Sequence, residues 1–290
     1  MAATRFEKWQ ALGNDYLIVE RDELPFELTP ARVRKLCEGH FGVYADGVLL
    51  LSPPSDPAHV ADLRIFNPDG SEAELSGNGA REAIMYLRRH WTDRDEFAIH
   101  TAAGEIRPRI TGADTCVIDM GRASLSSRNF PGGPSGGRGQ VRAGGREWTF
   151  QHVSIGNPQC AIRVADEREL ESLDLSVLGP AIEGDAQFPN RTNVSWYAEM
   201  GHPEDGRIRA RIFERGVGET LSSGTGATGA AVAYLIDCEL PDARIYVVLD
   251  GGELLVDVWE DLRVNLTGWA RPVFEGRLSE EFEKELNETE

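Results

Sequence analysis

The stretch RIFNPDGSEAELSGNGAREA, residues 64–83, recurs 147 residues later as RIFERGVGETLSSGTGATGA, residues 211–230. The two copies align without a gap and are identical at nine of twenty positions. Similarity at one fixed separation indicates an internal duplication, and a separation this long indicates a repeated domain rather than a solenoid unit. The sequence therefore predicts two related domains within the 290 residues.

Each copy contains a Ser-Gly-x-Gly-Ala turn that precedes an apolar segment. From Ala80 to Leu87 the apolar residues recur at the spacing of one helical face, whereas residues 227–236, ATGAAVAYLI, are apolar on almost every face. The turns are therefore predicted to lie at helix N-termini, where unpaired amides and the helix dipole attract anions. In the alternative interpretation the glycines only permit close packing and the serines only cap the helices. Two such turns at matching positions favour ligand binding.

The rest of the chain is predicted to be rich in strands and poor in helices. Each half begins with a strand, a turn and a second strand, with the turns at Gly13-Asn14 and at Gly156-Asn157-Pro158. Runs of β-branched and apolar residues bounded by turn residues predict strands. These runs are Arg5–Trp9, Tyr16–Val19, Val48–Leu51, Asp62–Phe66, Phe97–Thr101, Thr115–Met120, Glu147–Ile155, Cys160–Val164, Arg207–Phe213, Ala243–Leu249 and Glu253–Trp259.

The segment SLSSRNFPGGPSGGRGQVRAGG, residues 124–145, is predicted to be a loop at the domain boundary, because Gly, Pro and Ser favour loops and linkers. We therefore assign residues 1–122 together with 267–290 to an N-terminal domain. Residues 123–266 form the predicted C-terminal domain. The acidic tail that starts at Ser279 is predicted to be a Ser-capped helix or a frayed end.

Composition and charge exclude several classes of function. The net charge of −18 disfavours binding to nucleic acids and to anionic membranes, which require basic surfaces. The sequence shows neither a signal peptide nor a run of about 18 apolar residues, so we expect a cytoplasmic protein. The four cysteines are widely spaced, without a CxxC pair, so we expect buried thiols rather than disulfides or a zinc site.

Six motifs together resemble a known family. They are FEKWQALGNDYLIVE, ADGVLL, IFNPDGSEAELSGNGAREA, GNPQ, RTNVSW and ERGVGETLSSGTGA. In this order and spacing, from Phe6 to about Trp269, the chain resembles the diaminopimelate epimerases, which are cofactor-independent amino-acid racemases. The resemblance implies an α/β fold of the α+β type with two pseudo-symmetric domains. Each domain would be a curled, mainly antiparallel sheet around a central helix, with the active site in the cleft between the domains.

The resemblance also implies which residues transfer protons. Family members carry one catalytic cysteine in each domain, so that one thiolate removes the α-proton and the other thiol protonates the opposite face. The matching residues here are Ser76 and Ser223. Two further departures are Gln159, where a histidine is usual, and Tyr44, where a glycine is usual. We expect Ser76 and Ser223 to be catalytic, with Gln159 as an auxiliary residue.

The resemblance further implies a set of substrate-binding residues in both halves. The carboxylate at the reacting carbon would bind the amides around Gly77, Asn78, Gly224 and Thr225. The distal amino-acid end of diaminopimelate carries a carboxylate and an ammonium, which an arginine fork, a glutamate and side-chain amides can bind. The residues of this distal set are Asn14, Asn67, Asn157, Asn193, Glu214 and Arg215.

Replacing thiols by alcohols changes the energetics of the proton transfer. The reference pKa of cysteine is about 8.5, whereas that of an alcohol is close to the much higher pKa of water, a difference of about 10 kcal/mol in forming the base. A helix dipole offsets only about 0.3–2 kcal/mol of this. Three hypotheses follow: an active epimerase, or a racemase of another amino acid, that uses both serines; a non-catalytic or repurposed member that binds an amino acid; and an enzyme altered at both cysteines by construction.

We expect neither a metal nor an organic cofactor. The six histidines show no metal-ligand spacing, and among the three lysines that could hold pyridoxal phosphate only Lys8 lies within a motif. The expected partner is a small molecule, diaminopimelate or a similar amino acid. Association into a homodimer is left open.

Overall fold

The computed structural model describes residues 4–74, 76–202 and 205–289. The chain forms two compact units, Met1–Ile118 with Gly268–Glu290 and Asp119–Thr267. It leaves the first unit within the strand Thr115–Arg122 and re-enters it within the strand Arg263–Trp269. The predicted mixture of strands with few helices is confirmed.

The strands, in chain order, are β1 Arg5–Ala11, β2 Asn14–Glu20, β3 Val48–Ser52, β4 Ala61–Phe66, β5 Glu72–Ala73, β6 Ile99–Thr101, β7 Gly104–Ile106, β8 Pro108–Ile110, β9 Thr115–Arg122, β10 Arg138–Ala143, β11 Arg146–Ser154, β12 Pro158–Arg163, β13 Asn193–Glu199, β14 Arg207–Glu214, β15 Gly218–Thr220, β16 Ala243–Leu249, β17 Gly252–Val258, β18 Arg263–Trp269 and β19 Arg271–Arg277. The helices are α1 Pro30–Cys37, α2 Gly77–His90, α3 Glu167–Ser172, α4 Leu175–Glu183, α5 Gly224–Asp237 and α6 Glu280–Glu288.

The two units have the same strand order. In the first unit the order is β19-β1-β2-β3-β4-β6-β7, with β5 attached to β4, and in the second it is β10-β11-β12-β13-β14-β16-β17, with β15 attached to β14. The parallel pairs correspond as well, because β2–β3 and β4–β6 match β12–β13 and β14–β16. The duplication therefore covers all eight strands of the first sheet, whereas the second sheet continues beyond β17 with β18, β9 and β8. One edge differs in origin, since β19 from the C-terminal segment occupies the place that β10 occupies in the second unit.

The repeated stretch keeps its strand register in both copies. In β4–β5, Ile65 pairs with Ala73, and in β14–β15 the residues 147 positions later, Ile212 and Thr220, pair in the same way. An Arg–Glu ion pair spans both hairpins, between Arg64 and Glu72 in the first and between the matching arginine and glutamate in the second. Each hairpin delivers the chain to the N-terminus of a central helix.

The central helices α2 and α5 are buried by their own sheets. Helix α2 packs against β1, β2 and β3, and α5 packs against β11–β14, β16 and β17. The apolar face predicted from Ala80 to Leu87 is buried, as is α5 from Ala227 to Leu235. Small residues allow this close approach, so a larger side chain at Ala230, which has no exposed surface, would cost about 1–3 kcal/mol by overpacking.

Several local predictions need correction. The segment predicted as a loop, residues 124–145, contains β10, which pairs with β11, because strand pairing overrides the Gly-rich composition. Strands β13, β18 and β19 were not predicted from the strand patterns. Helix α6 confirms the tail helix, with Ser279 as its N-cap, and Glu290 lies outside the described residues. Three cysteines are buried as expected, whereas Cys238 is half-buried.

Candidate active site

Ser76 and Ser223 occupy the same position at the start of α2 and α5. Both have extended backbone conformations, with φ −127° and ψ 122° for Ser76 and φ −144° and ψ 122° for Ser223. Each Oγ accepts a hydrogen bond of 3.2 Å, from the amide of Gly79 in the first turn and of Gly226 in the second. The serines are therefore N-caps, and the amides around them lie at the positive ends of two helices.

The side chains beside the two serines differ in chemistry. In the first unit the Tyr16 hydroxyl donates to Ser76 Oγ at 3.2 Å. In the second unit Ser223 Oγ donates to Glu214 Oε2 at 3.0 Å. One serine hydroxyl therefore contacts a phenol and the other a carboxylate.

The Glu214 carboxylate is held next to Ser223 by a second hydroxyl. Thr220 Oγ1 donates to Glu214 Oε1 at 2.9 Å, so both carboxylate oxygens are engaged. Burial raises the pKa of Glu214, and the hydrogen bonds from the two hydroxyls act in the opposite direction. A carboxylate with a raised pKa is a stronger base than an ordinary glutamate.

The first turn also contains a buried cation that sequence analysis missed. Arg81 Nη2 donates to Asn78 Oδ1, and both side chains are buried. Burial lowers the pKa of Arg81. The residue at the matching position of the second turn is Thr228, which donates to the carbonyl of Gly224 at 2.9 Å. The two copies differ at this position, with an arginine in the first and a threonine in the second. Comparing them could have revealed Arg81 from the sequence.

The remaining predicted residues of the first unit, Asn14, Asn67 and Gly77, lie in turns or at the start of α2. Asn14 Nδ2 donates to Asp46 Oδ2 at 2.8 Å at the start of β2. Asn67 Nδ2 donates to Ser71 Oγ at 2.9 Å within the β4–β5 turn. Gly77 is half-buried at the first position of α2. Both asparagine amides are thus engaged within their own turns, while their side chains are half-buried.

In the second unit three predicted residues form one chain of hydrogen bonds. Gln159 Nε2 donates to Asn157 Oδ1 at 2.7 Å, and Asn157 Nδ2 donates to Thr225 Oγ1 at 3.1 Å. Gln159 is fully buried against Gly229, where a Cβ would lie 2.8 Å from the Gln159 Cβ. Thr225 is half-buried and Gly224 is buried at the start of α5.

The turn that follows β14 is fixed by side chains from neighbouring segments. Asn193 Oδ1 accepts from the amide of Arg215 at 2.8 Å, and the carbonyl of Asn190 accepts from Arg215 Nη1 at 2.9 Å. Glu183 Oε1 accepts from the amide of Gly216 at 2.7 Å. Arg215 itself is exposed, so its guanidinium is accessible to a ligand. Sequence analysis missed Glu183, which is only 3% exposed and belongs to no motif.

The structure contains a strained residue at one of the positions where the sequence departs from the family motifs. Tyr44 has φ +62°, a left-handed conformation that favours glycine, and its carbonyl accepts from Lys8 Nζ at 2.6 Å. Tyr44 is 62% exposed.

Among the described residues, His, Cys, Asp and Glu form no group of three or more that could hold a metal ion. No helix in the described ranges is long and apolar enough to cross a membrane.

Comparison with known proteins identifies the family. The family model described as diaminopimelate epimerase matches residues 6–126 and 151–271, one segment for each half. The chain belongs to the diaminopimelate epimerase family. It is 38% identical over 284 residues to the diaminopimelate epimerase of Synechococcus sp. (strain JA-3-3Ab), covering 95% of this chain and 98% of that protein. The diaminopimelate epimerase of Magnetococcus marinus is 38% identical over 276 residues, covering 94% and 96%.

Solved structures show the same two-domain fold at lower identity. A phenazine biosynthesis protein of the PhzF family from Bacillus anthracis superposes with a TM-score of 0.70 at 18% identity, covering 96% of this chain and 100% of that one. A hydroxyproline epimerase from Agrobacterium vitis, solved with bound trans-4-hydroxy-L-proline, has a TM-score of 0.65 at 15% identity, covering 95% and 92%. The fold predicted for this diaminopimelate epimerase family member is thereby confirmed.

Proposed function

We propose that the protein is an isomerase that interconverts LL- and meso-diaminopimelate by two-base proton transfer at the α-carbon, a step in the supply of lysine and peptidoglycan precursors. Family membership and the diaminopimelate epimerase relatives support the reaction class. The observation that carries the mechanism is the Ser223–Glu214 hydrogen bond at the N-terminus of α5, with Ser76 at the matching place in the first unit. Ser76 and Ser223 would address opposite faces of one carbon.

Glu214 gives Ser223 the basicity that an isolated serine lacks. The α-proton would pass to Ser223 Oγ while the serine's own proton passes to Glu214 Oε2, leaving a carbanion, a neutral serine and a carboxylic acid. No alkoxide accumulates, so the base strength is set by the carboxylate rather than by an alcohol, whose pKa lies close to the much higher pKa of water. The raised pKa of Glu214 acts in the same direction.

The carbanion would be stabilised through the substrate's α-carboxylate. The amides of Gly77, Asn78, Gly224 and Thr225 lie in the first turns of α2 and α5, where fixed dipoles favour negative charge. In the Ser-Gly-x-Gly turn of the first unit, the buried guanidinium of Arg81 adds a positive charge beside Asn78. These groups would hold the charge as it develops, without a cofactor.

The distal amino-acid end of the substrate would bind the remaining polar side chains. The exposed guanidinium of Arg215 suits a bidentate carboxylate contact. Glu214 would serve Ser223 in addition to any contact with the distal ammonium. The other members of this proposed set are Asn14, Asn67, Asn157 and Asn193, with Gln159 orienting Asn157.

Exchange of the α-proton in deuterated water tests this function. The protein would be incubated with LL- or meso-diaminopimelate, with deuterium followed by mass spectrometry and stereochemistry by chiral separation. The proposal expects conversion in both directions with one deuterium entering at the inverted carbon. Absence of exchange under saturating substrate contradicts it.

A second candidate is a non-catalytic member that binds diaminopimelate or a similar amino acid. Serine hydroxyls occupy both positions at which family members carry catalytic thiols. This favours the non-catalytic candidate, because an alcohol is a weak acid and a weak base. Calorimetric binding without exchange would support this candidate, and exchange with a different amino acid would identify a racemase of that substrate. A cytoplasmic location and a homodimer remain predictions.

A further inference from the structure

We propose that Tyr16 relays protons to and from Ser76, so that a phenol serves the serine of the first unit where a carboxylate serves the serine of the second. This inference rests on the proposed epimerase function. It begins from the hydrogen bond of 3.2 Å that Tyr16 donates to Ser76 Oγ. Nothing in the six sequence motifs distinguishes this tyrosine from an ordinary core aromatic residue.

Two glycines leave open the space that the Tyr16 ring occupies. A Cβ at Gly47 would lie 2.6 Å from Tyr16 Cε1, and a Cβ at Gly79 would lie 3.3 Å from Tyr16 Cε2. The ring therefore occupies space that only glycine leaves open at Gly47. Gly79 also donates its amide to Ser76 Oγ at 3.2 Å, so one residue of the turn borders the ring and orients the serine. Tyr16 is only 5% exposed.

The hydrogen-bond directions give the two serines different roles. Ser76 Oγ accepts from both the Gly79 amide and the Tyr16 hydroxyl, which leaves the serine's own hydrogen uncommitted to either contact. Ser223 instead donates its hydrogen to Glu214. Ser76 is thus arranged to deliver a proton, and Ser223 is arranged to take one.

The proposed relay balances in protons and charge. The carbanion takes the hydroxyl hydrogen of Ser76 as the Tyr16 hydroxyl hydrogen moves to Ser76 Oγ, which leaves a protonated product, a neutral serine and a tyrosine phenolate. Water then returns a proton to the phenolate and accepts one from the Glu214 carboxylic acid. In the reverse direction the phenolate draws the Ser76 proton as the serine takes the α-proton. The charge is left on a phenol, with a reference pKa of about 10, rather than on an alcohol, whose pKa is several units higher.

The residue of the second unit that corresponds to Tyr16 cannot relay a proton. The turns GNDY and GNPQ place Gln159 at the position that corresponds to Tyr16. An amide neither gains nor loses a proton in this range, and Gln159 Nε2 donates to Asn157 instead of to Ser223. The phenol is therefore a property of the first unit alone, which complements the carboxylate of the second.

Removal of the phenol hydroxyl tests the relay. Tyr16→Phe keeps the ring between the two glycines and deletes only the hydroxyl. We expect turnover to fall by about 100-fold or more while the calorimetric affinity for diaminopimelate changes by no more than about threefold. The matched control is Tyr86→Phe, which deletes a buried hydroxyl that donates to Glu20 at 2.7 Å in the same unit. Its turnover should stay within about threefold of the parent.

A second background separates a relay from a structural role. In a Ser76→Cys protein the thiol has a reference pKa of about 8.5 and does not need the phenol. Adding Tyr16→Phe there should lower turnover by less than about threefold, whereas a purely structural tyrosine would cost the same in both backgrounds. Equal losses, or a fully active Tyr16→Phe protein, would overturn the relay and leave the epimerase function standing. A parent protein that neither converts diaminopimelate nor exchanges its α-proton overturns both.

Discussion

Ser223 Oγ donates a hydrogen bond of 3.0 Å to Glu214 Oε2, nine residues earlier in the chain. The Glu214 side chain is half-buried, and its other carboxylate oxygen accepts from Thr220. In the other unit Ser76 accepts from a phenol 60 residues away. Two turns that are almost identical in sequence thus differ in the chemistry of the group beside the serine.

Substitution of Glu214 by glutamine should remove the base without removing the hydrogen-bond acceptor. We expect epimerisation to fall by about 10²–10⁴-fold, because general base catalysis contributes about that much, with substrate affinity of the same order as in the parent. Steady-state rates and calorimetry measure the two quantities. Glu219→Gln is the control, since Glu219 is exposed on the same hairpin and pairs with Arg211. A fully active Glu214→Gln protein would exclude Glu214 as the base.

The acid side of the pH–rate profile should report Glu214. Burial raises the pKa of this carboxyl above its ordinary value of 4.5, and the base must be deprotonated to act. The value of kcat/KM should therefore fall as the pH drops through a pKa above 4.5, while circular dichroism shows the protein still folded. Constant kcat/KM down to pH 4.5 would contradict this assignment.

Thiols at both serine positions should raise the rate. Ser76→Cys with Ser223→Cys places thiols at two helix N-termini, which lower the pKa of cysteine. Since a thiol with a reference pKa of about 8.5 can act as the base directly, without passing its proton to a carboxylate or a phenol, we expect a gain of orders of magnitude in turnover, and a much smaller gain from each single substitution. Adding Gln159→His should raise the rate further. A folded double variant that binds diaminopimelate but exchanges no deuterium would favour the binding-protein candidate.

Arg215 should contribute to affinity rather than to the fold. Its guanidinium is exposed, its backbone amide donates to Asn193 Oδ1, and its Nη1 donates to the carbonyl of Asn190. Arg215→Ala should weaken binding of diaminopimelate by about 10–100-fold, the range for a lost charge-assisted contact, with little change in melting temperature. Arg142→Ala, at an exposed position of β10, is the control for loss of charge. Unchanged calorimetric affinity would remove Arg215 from the site.

His152 should make the fold sensitive to acid. This side chain is fully buried beside Ser127, and burial lowers its pKa from 6.5 to about 4. The unfolded chain binds the proton first as the pH falls, so stability is complete above pH 6.5 and is lost between 6.5 and about 4. The loss amounts to about 3 kcal/mol. Urea titrations of His152→Gln should show a flatter pH dependence in this window, whereas the exposed-residue control His40→Gln should match the parent.

Sequence patterns predicted the repeated elements better than the connections between them. The Ser-Gly-x-Gly turns, the two central helices and most strands follow from local periodicity and turn chemistry, which act over a few residues. Strand β10 was missed because its Gly-rich composition is overridden by pairing with β11. Arg81 and Glu183 were missed because a buried charge has no distinct pattern until its surroundings are known.

The sequence alone determined that the chain is duplicated, that each half carries a Ser-Gly-x-Gly turn at the start of a helix, and that a hydroxyl occupies both reactive positions. Only the tertiary structure decided what each hydroxyl contacts. Tyr16 reaches Ser76 because β2 and α2 pack together within the first unit, and Glu214 reaches Ser223 because β14 ends beside the start of α5. The acid or base character of a serine depends on the group about 3 Å away. That neighbour is set by the packing of strands and helices, which local sequence does not encode.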